Sequence, residues 1–226
     1  VARSSLGLFG RQLEMIQAAK MMGKPIVVIL VNGRPIAEPW LVENIDVIIE
    51  AWEPGAKGGE ALADIIMGQI NPSGKLPITI PYSVGHLQAI YDHKPSAYRH
   101  KFVDTPTKNL FEFGFGLSYS TYEYEAPKLS KKQIKSDEST SISVKLTNTG
   151  KYGGAEIVQL YIRDDFSQIT RPVKELKGFK RIYLESGESA TIEFLEYSIT
   201  AHPNPTAMLV PINDSITASN INGSLM

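Results

Sequence analysis

The stretch that most limits the fold is Ile26 to Val31, IVVILV, which has no polar side chain. A strand apolar toward both faces needs cover on both, a situation met inside a parallel sheet flanked by helices. Asn32-Gly33-Arg34-Pro35 ends it sharply. Ahead of it, Arg11 to Met22 sets Leu13, Ile16, Ala19 and Met22 on one helical face, with Gly23 to cap and Pro25 to forbid continuation. Behind it, Pro39 to Asn44 fits one or two helical turns. Val47 to Trp52, VIIEAW, reads as a second strand interrupted by Glu50. Gly58 to Gly68 predicts a helix with Ala61, Leu62, Ile65 and Ile66 inward, and Leu76 to Ile80 a final strand. This alternation predicts an α/β layered domain with a mainly parallel sheet.

The pattern changes after Pro81. Residues 82 to 109 carry three of the four histidines and read as a long connection. Leu110 to Tyr124, LFEFGFGLSYSTYEY, is dense in aromatics and glycine. Beyond Pro127 the period becomes two. Ile142, Val144 and Leu146 alternate with polar residues, as do Val158, Leu160 and Ile162, and then Ala190, Ile192 and Phe194. Turns are expected at Asn148-Thr149-Gly150, Gly153-Gly154 and Ser186-Gly187-Glu188, which together predict an all-β sandwich. The expected division is 1–103 for the α/β domain, 104–126 for an interdomain segment and 127–226 for the sandwich.

From about Leu195 the alternation fails, and Pro211 breaks the apolar Met208 to Ile212. A sandwich without its last strands leaves an open edge. The expectation is that this tail is not the native ending but the product of a frameshift or misjoined reading. The chain opens at Val1 without a methionine, beside an amphipathic helix, and the expectation is a piece of something longer.

Composition excludes some partners. The net charge of -1 and a pI near 6.5 imply no overall pull toward nucleic acid or a membrane surface. There is no cysteine, so disulfides and cysteine metal sites are excluded. No apolar run reaches the roughly 18 to 20 residues of a membrane span.

Several constellations resemble chemistry without supplying it. Pro54 to Glu60 is glycine-rich but lacks the spacing and the Lys-Ser/Thr pair of a phosphate loop, so its glycines read as a strand-to-helix turn. On that reading Gly59→Val should damage folding of the α/β domain. Gly114 and Gly116 in FGFG lie in an aromatic stretch and read as packing at the domain junction. His86, His93 and His100 are evenly spaced, but Pro95 intervenes and HExxH is absent, so a solvated loop is the expectation. Asp164-Asp165 reads as a solvated turn, and neither GxSxG nor a Ser-His-Asp or Cys-His arrangement is visible. Glu53 is the best-placed acid, just past the carboxyl end of a parallel strand, where ligands of open α/β sheets gather. Asn32 and Arg34 share that edge.

Three blocks now carry a resemblance: GKPIVVILVNGRPI, WEPGAKGGEALADIIMGQINPSGKLPITIP and LFEFGFGLSYSTYEY. Together they resemble glycoside hydrolase family 3, in its β-glucosidase branch, whose middle block has the form WxPGxxGGxAxADxxxGxxNPSGxLPxTxP. NTGKYGGAEIVQLYIRD and RPVKELKGFKRIYLESGESATIEF resemble the immunoglobulin/fibronectin type III-like sandwich that follows in that family. The resemblance covers residues 1 to about 195.

It implies a retaining, exo-acting β-glucosidase whose (β/α)8 barrel carries the aspartate nucleophile and binds the β-linked oligosaccharide or aryl glucoside. An early loop of the α/β domain supplies the glutamate acid/base. ARSSLGLFGRQ resembles the segment just after that loop, with Phe9 where the family usually has proline. On this mapping neither catalytic carboxylate belongs to this chain, which is expected to be inactive alone. Arg3, Asn32 and Glu53 are the expected borders of the sugar site by position. No metal or organic cofactor is implied, and a periplasmic or secreted location is. A β-xylosidase or N-acetylglucosaminidase of the same family remains open, as does a stand-alone carbohydrate-binding or scaffold module.

Overall fold

The computed structural model describes residues 3–86, 88–95, 102–131, 139–163, 169–198 and 206–208. The first part holds helix α1 (Gln12–Lys20), strand β1 (Val27–Val31), helix α2 (Pro39–Asn44), strand β2 (Val47–Trp52) and helix α3 (Gly58–Ile66). β1 and β2 pair in parallel, Val27 opposite Val47 and Leu30 opposite Glu50, until the register shifts and Val31 meets Trp52. Val28 sits with Leu41 and Ile45 in a small core, against which Leu8, Ile16, Leu30, Trp40 and Ile48 pack. The proline at the start of α2 costs nothing there, because the first helical N–H has no intrahelical partner.

Three expectations for this part are corrected. β1 is covered on one face only: Val28 is buried, whereas Val27, Ile29 and Val31 are exposed, Val31 at 63%. An all-apolar run cannot by itself say which face is covered. In α3, Leu62 and Ile65 are half-buried, but Ala61 and Ile66 are exposed. Leu76 to Ile80 joins no parallel sheet. Pro77 and Pro81 remove two donors, and the segment instead runs beside the aromatic stretch. There Ile80 bridges Phe111, Leu76 N donates to Phe115 O at 2.7 Å, and Gly114 N donates to Leu76 O at 2.7 Å.

The second part is a sandwich. One sheet carries β3 (Tyr122–Tyr124), β4 (Lys128–Leu129), β5 (Ser139–Asn148) and β8 (Ser189–Ser198), with β5 paired to each of the others. The other has the order β7 (Glu175–Leu184), β6 (Gly154–Arg163), β9 (Thr206–Met208). The alternating residues meet between the sheets: Ile142, Val144 and Leu146 from β5, Val158 and Leu160 from β6, and Ile192 and Phe194 from β8. Burying each such side chain stabilises by about 1.5–3 kcal/mol, so the sandwich has the larger core. Gly187, at φ +79°, makes the turn between β7 and β8 possible.

The expected failure of strand structure at 195 is also corrected. β8 continues to Ser198, and β9 pairs antiparallel with β6 through Met208–Tyr161, Ala207–Ile162 and Thr206–Arg163. The remaining tail (199–205 and 209–226), His100 and Asp164-Asp165 lie outside the described residues.

Polar contacts join the two parts. Asn71 donates to Gly153 O at 3.1 Å and accepts from Ser118 Oγ and Tyr119 N, both at 2.8 Å. Gln159 donates to Gly114 O at 3.1 Å. Tyr91 stacks on Phe113 and meets Tyr161 edge-on. The FGFG stretch therefore packs at the junction: a Cβ on Gly116 would overlap the carbonyl of Gly74.

Candidate functional site at the carboxyl edge of the parallel strands

β1 and β2 run the same way, so the turns that leave them share one edge. Pro35 and Pro54 stop both strands from extending. Asn32 ties the two turns together. Its backbone N–H donates to Trp52 O at 3.1 Å, its side-chain Nδ2 donates to Glu50 Oε1 at 3.0 Å, and its Oδ1 accepts from Arg34 N at 3.1 Å. Glu50 Oε1 also accepts the backbone N–H of Trp52 at 3.2 Å. Burial pushes the Glu50 carboxyl up from its ordinary value, and the hydrogen bonds from Trp52 and Asn32 offset part of that.

Trp52 is the only non-glycine residue with positive φ among the described residues, at φ +50°. It stands where the pairing skips Ala51, so the sheet irregularity and the left-handed residue are one feature. Next to it Glu53 is exposed and lies over Gly33, where a Cβ would come within 2.9 Å of Glu53 Oε1. Arg34 is half-buried and donates through Nη1 to Arg3 O at 3.2 Å. Arg3 donates to Gly7 O at 3.3 Å, and its guanidinium sits 4.7 Å from the centre of the Phe9 ring. The Ala37 N–H holds this leading segment by donating to Leu6 O at 2.9 Å.

Arg3, Asn32 and Glu53 thus stand on one edge, linked through Arg34 and Gly33 rather than touching one another. Asn32 directs both ends of its amide into the protein, which makes it a clasp between strands. Among the described residues the Glu53 carboxylate and the remaining N–H groups of Arg34 and Arg3 are further polar groups on this edge. A carboxylate and guanidinium donors on one edge are groups that can bond to hydroxyls of a polyol. Glu50 and Trp52 went unrecognised in the sequence; the signal was a lone carboxyl inside VIIEAW.

Among the described residues the histidines form no second centre. His86 bonds to Ser83 Oγ at 2.9 Å and to Pro106 O at 2.8 Å and packs on Phe102. Among the described residues no three His, Cys, Asp or Glu side chains converge as a metal site would require. No helix among them is long and apolar enough to cross a membrane.

The glycosyl hydrolase family 3 C-terminal domain matches residues 1–119, and the fibronectin type III-like domain matches residues 156–195. The chain belongs to glycosyl hydrolase family 3. It is 44% identical over 198 residues to a β-xylosidase of Formosa agariphila, covering 85% of this chain and 27% of that protein. It is 40% identical over 203 residues to the periplasmic β-glucosidase of Salmonella typhimurium, covering 85% and 26%. Among solved structures, a β-glucosidase from Erythrobacter marinus superimposes with a TM-score of 0.85 at 37% identity, over 92% of this chain and 28% of that one. This family member spans about a quarter of the length of the relatives it matches. The two family models fall in turn on the α/β part and on the sandwich.

Proposed function

We propose that this chain is the C-terminal part of a retaining, exo-acting β-glucosidase that releases terminal β-D-glucosyl residues from cello-oligosaccharides or aryl glucosides. The observation that carries the proposal is the similarity to β-glucosidases and a β-xylosidase, which runs through both the α/β part and the sandwich. Retaining hydrolysis needs two carboxyl groups close together across the scissile bond, one as nucleophile and one as acid and then base. In this reading both are supplied by parts of such proteins that these 226 residues do not include. Glu53, Arg34 and Arg3 border the sugar site from the α/β side, and Asn32 holds their turns. Residues 1–103 form the α/β unit, 104–126 the aromatic junction and 127 onward the sandwich. The location is periplasmic or secreted, following the relative named periplasmic.

The β-xylosidase reading is the second, favoured by the 44% identity to a protein of that name. A chimera tests what the two readings share, with this chain replacing the matching quarter of the Salmonella typhimurium enzyme. It is expected to hydrolyse nitrophenyl β-glucoside, and a folded chimera without that activity would reject both readings. The whole parent protein, assayed on nitrophenyl β-glucoside and β-xyloside, separates the two; preference for the β-xyloside would favour the second.

A further inference from the structure

We propose that Glu50 is a positioning residue: its carboxylate fixes the turn at Trp52 and the amide of Asn32, and so sets where Glu53 and Arg34 stand on the sugar-facing edge. The sugar-facing part of this statement rests on the function proposed above; the clasp itself does not.

Three observations meet at Glu50. One carboxyl oxygen receives two N–H donors, Nδ2 of Asn32 from the β1 turn at 3.0 Å and the backbone N of Trp52 from its own strand at 3.2 Å. Trp52 holds φ +50°, a conformation that costs a non-glycine residue of order 1–3 kcal/mol and persists only where its surroundings impose it. Here the imposing contacts act on both sides of Trp52: Glu50 takes its N–H, and the Asn32 N–H takes its carbonyl. The residue that follows is Glu53, and the residue whose N–H the clasped Asn32 accepts is Arg34. The clasp thus orders Glu53 and Arg34, two of the polar groups on this edge, without itself being a ligand-binding group.

A carboxyl at this position is otherwise unfavourable. It interrupts an apolar strand, and burial raises its affinity for a proton. The charged groups on the same edge are Arg3, Arg34 and Glu53, and neither guanidinium is bonded to Glu50. An acid partly buried, with no cationic partner among the described residues and bonded to the backbone of a strained residue, fits a device for geometry rather than for stability.

The test has two arms. In the first, 15N NMR follows the Asn32 side-chain amide and the Trp52 backbone N–H of the 226-residue chain through the acid range. Both resonances are expected to titrate together, with a midpoint above that of an ordinary glutamate. In Glu50→Gln the titration vanishes while the shifts stay near those of the ionised form, because the Gln carbonyl accepts the same donors. In Glu50→Leu the resonances of Gly33, Arg34, Trp52 and Glu53 move while those of Leu41 and Ile45 in the core hold.

In the second arm, the chimera described above carries the same substitutions. Glu50→Gln is expected to leave kcat and KM near their starting values. Glu50→Leu is expected to raise KM for nitrophenyl β-glucoside about tenfold, with a smaller change in kcat, as lost positioning of binding groups predicts. Absence of a shared titration, or a Glu50→Leu chain whose Trp52 and Glu53 resonances do not move, overturns the clasp. A folded Glu50→Leu chimera with unchanged KM overturns its role at the sugar edge. An inactive parent chimera rejects the functional reading and leaves the NMR arm to decide the clasp.

Discussion

Lys75 and Glu156 meet across the seam between the α/β part and the sandwich, Nζ to Oε1 at 3.1 Å, with side chains only 16% and 10% exposed. Lys75 also donates to Gly116 O at 2.9 Å, and Tyr124 OH donates to Glu156 Oε1 at 3.1 Å. Burial, reinforced by the Glu156 charge, pushes the Tyr124 hydroxyl well above its ordinary pKa, so it stays a donor. The two parts are therefore joined by a largely desolvated ion pair with its lone pairs and protons shared among neighbours.

Removing one partner of that pair leaves the other charge withdrawn from water. Glu156→Ala and Lys75→Met are each expected to lower unfolding free energy by about 3 kcal/mol, as for single breaks of buried pairs. The double variant Lys75→Met/Glu156→Leu should recover most of the loss. Urea denaturation followed by circular dichroism checks both; additive losses in the double variant would show that the two charges act independently.

The glycine-rich turn behaves differently from its reading in the sequence. A Cβ on Gly59 meets nothing within 4 Å and its φ is not positive, so Gly59→Val is expected to change stability by no more than about 0.5 kcal/mol. The steric constraint in that turn belongs to Gly58, whose Cβ would overlap Pro54, and the conformational one to Gly55, at φ +69°. Gly116→Ala, which would press on the Gly74 carbonyl, is expected to cost about 1–3 kcal/mol. Thermal melts of Gly59→Val and Gly116→Ala rank the two positions; the reverse order would contradict this packing.

What the sequence made legible was local. Val47–Trp52 and Pro39–Asn44 end where their residues say they should, because a β-branched run and a proline at the first helical position act within a few residues. The period-two strands of the sandwich were equally readable. The failures are all questions of what lies opposite. IVVILV could not reveal that Val27, Ile29 and Val31 face outward, and LPITIP could not reveal that its neighbour is Phe111–Phe115. The edge cluster was half legible: two turns after parallel strands bring Asn32, Arg34 and Glu53 to one edge, but the Asn32–Glu50 bond, spanning 18 residues, was not. Asn71 reaches Gly153, 82 positions away, a contact no local pattern announces.

The outer face of β1 and β2 is the largest departure from the expected layering. Val27, Ile29, Val31 and Val47 are exposed there. Contiguous apolar surface of this kind drives association or dye binding. Val31→Lys is expected to lower both the fluorescence of a bound hydrophobic dye and the apparent mass by light scattering at high concentration, while leaving the melting temperature within about 2 °C, as for an exposed site outside any named contact. Unchanged dye binding would place the sticky surface elsewhere.

Glu50 gives a pH signature. Its carboxyl is raised by burial, so the folded chain binds that proton more tightly than the unfolded chain. Its contribution to stability is then present below the ordinary glutamate value and is lost as pH rises through the raised one. Glu50→Gln carries no such proton. Melting temperatures of the two chains are expected to diverge with rising pH through that window, the variant becoming relatively more stable; parallel curves would mean the carboxyl is not perturbed.

On the proposed function, these residues border a β-glucosidase site whose reacting carboxyl groups they do not include. The most direct measurement is the release of nitrophenol from nitrophenyl β-glucoside by the isolated, folded 226-residue chain. The prediction is a rate indistinguishable from the buffer blank. Sustained turnover above that blank, abolished by an acidic-residue substitution within this chain, would contradict it.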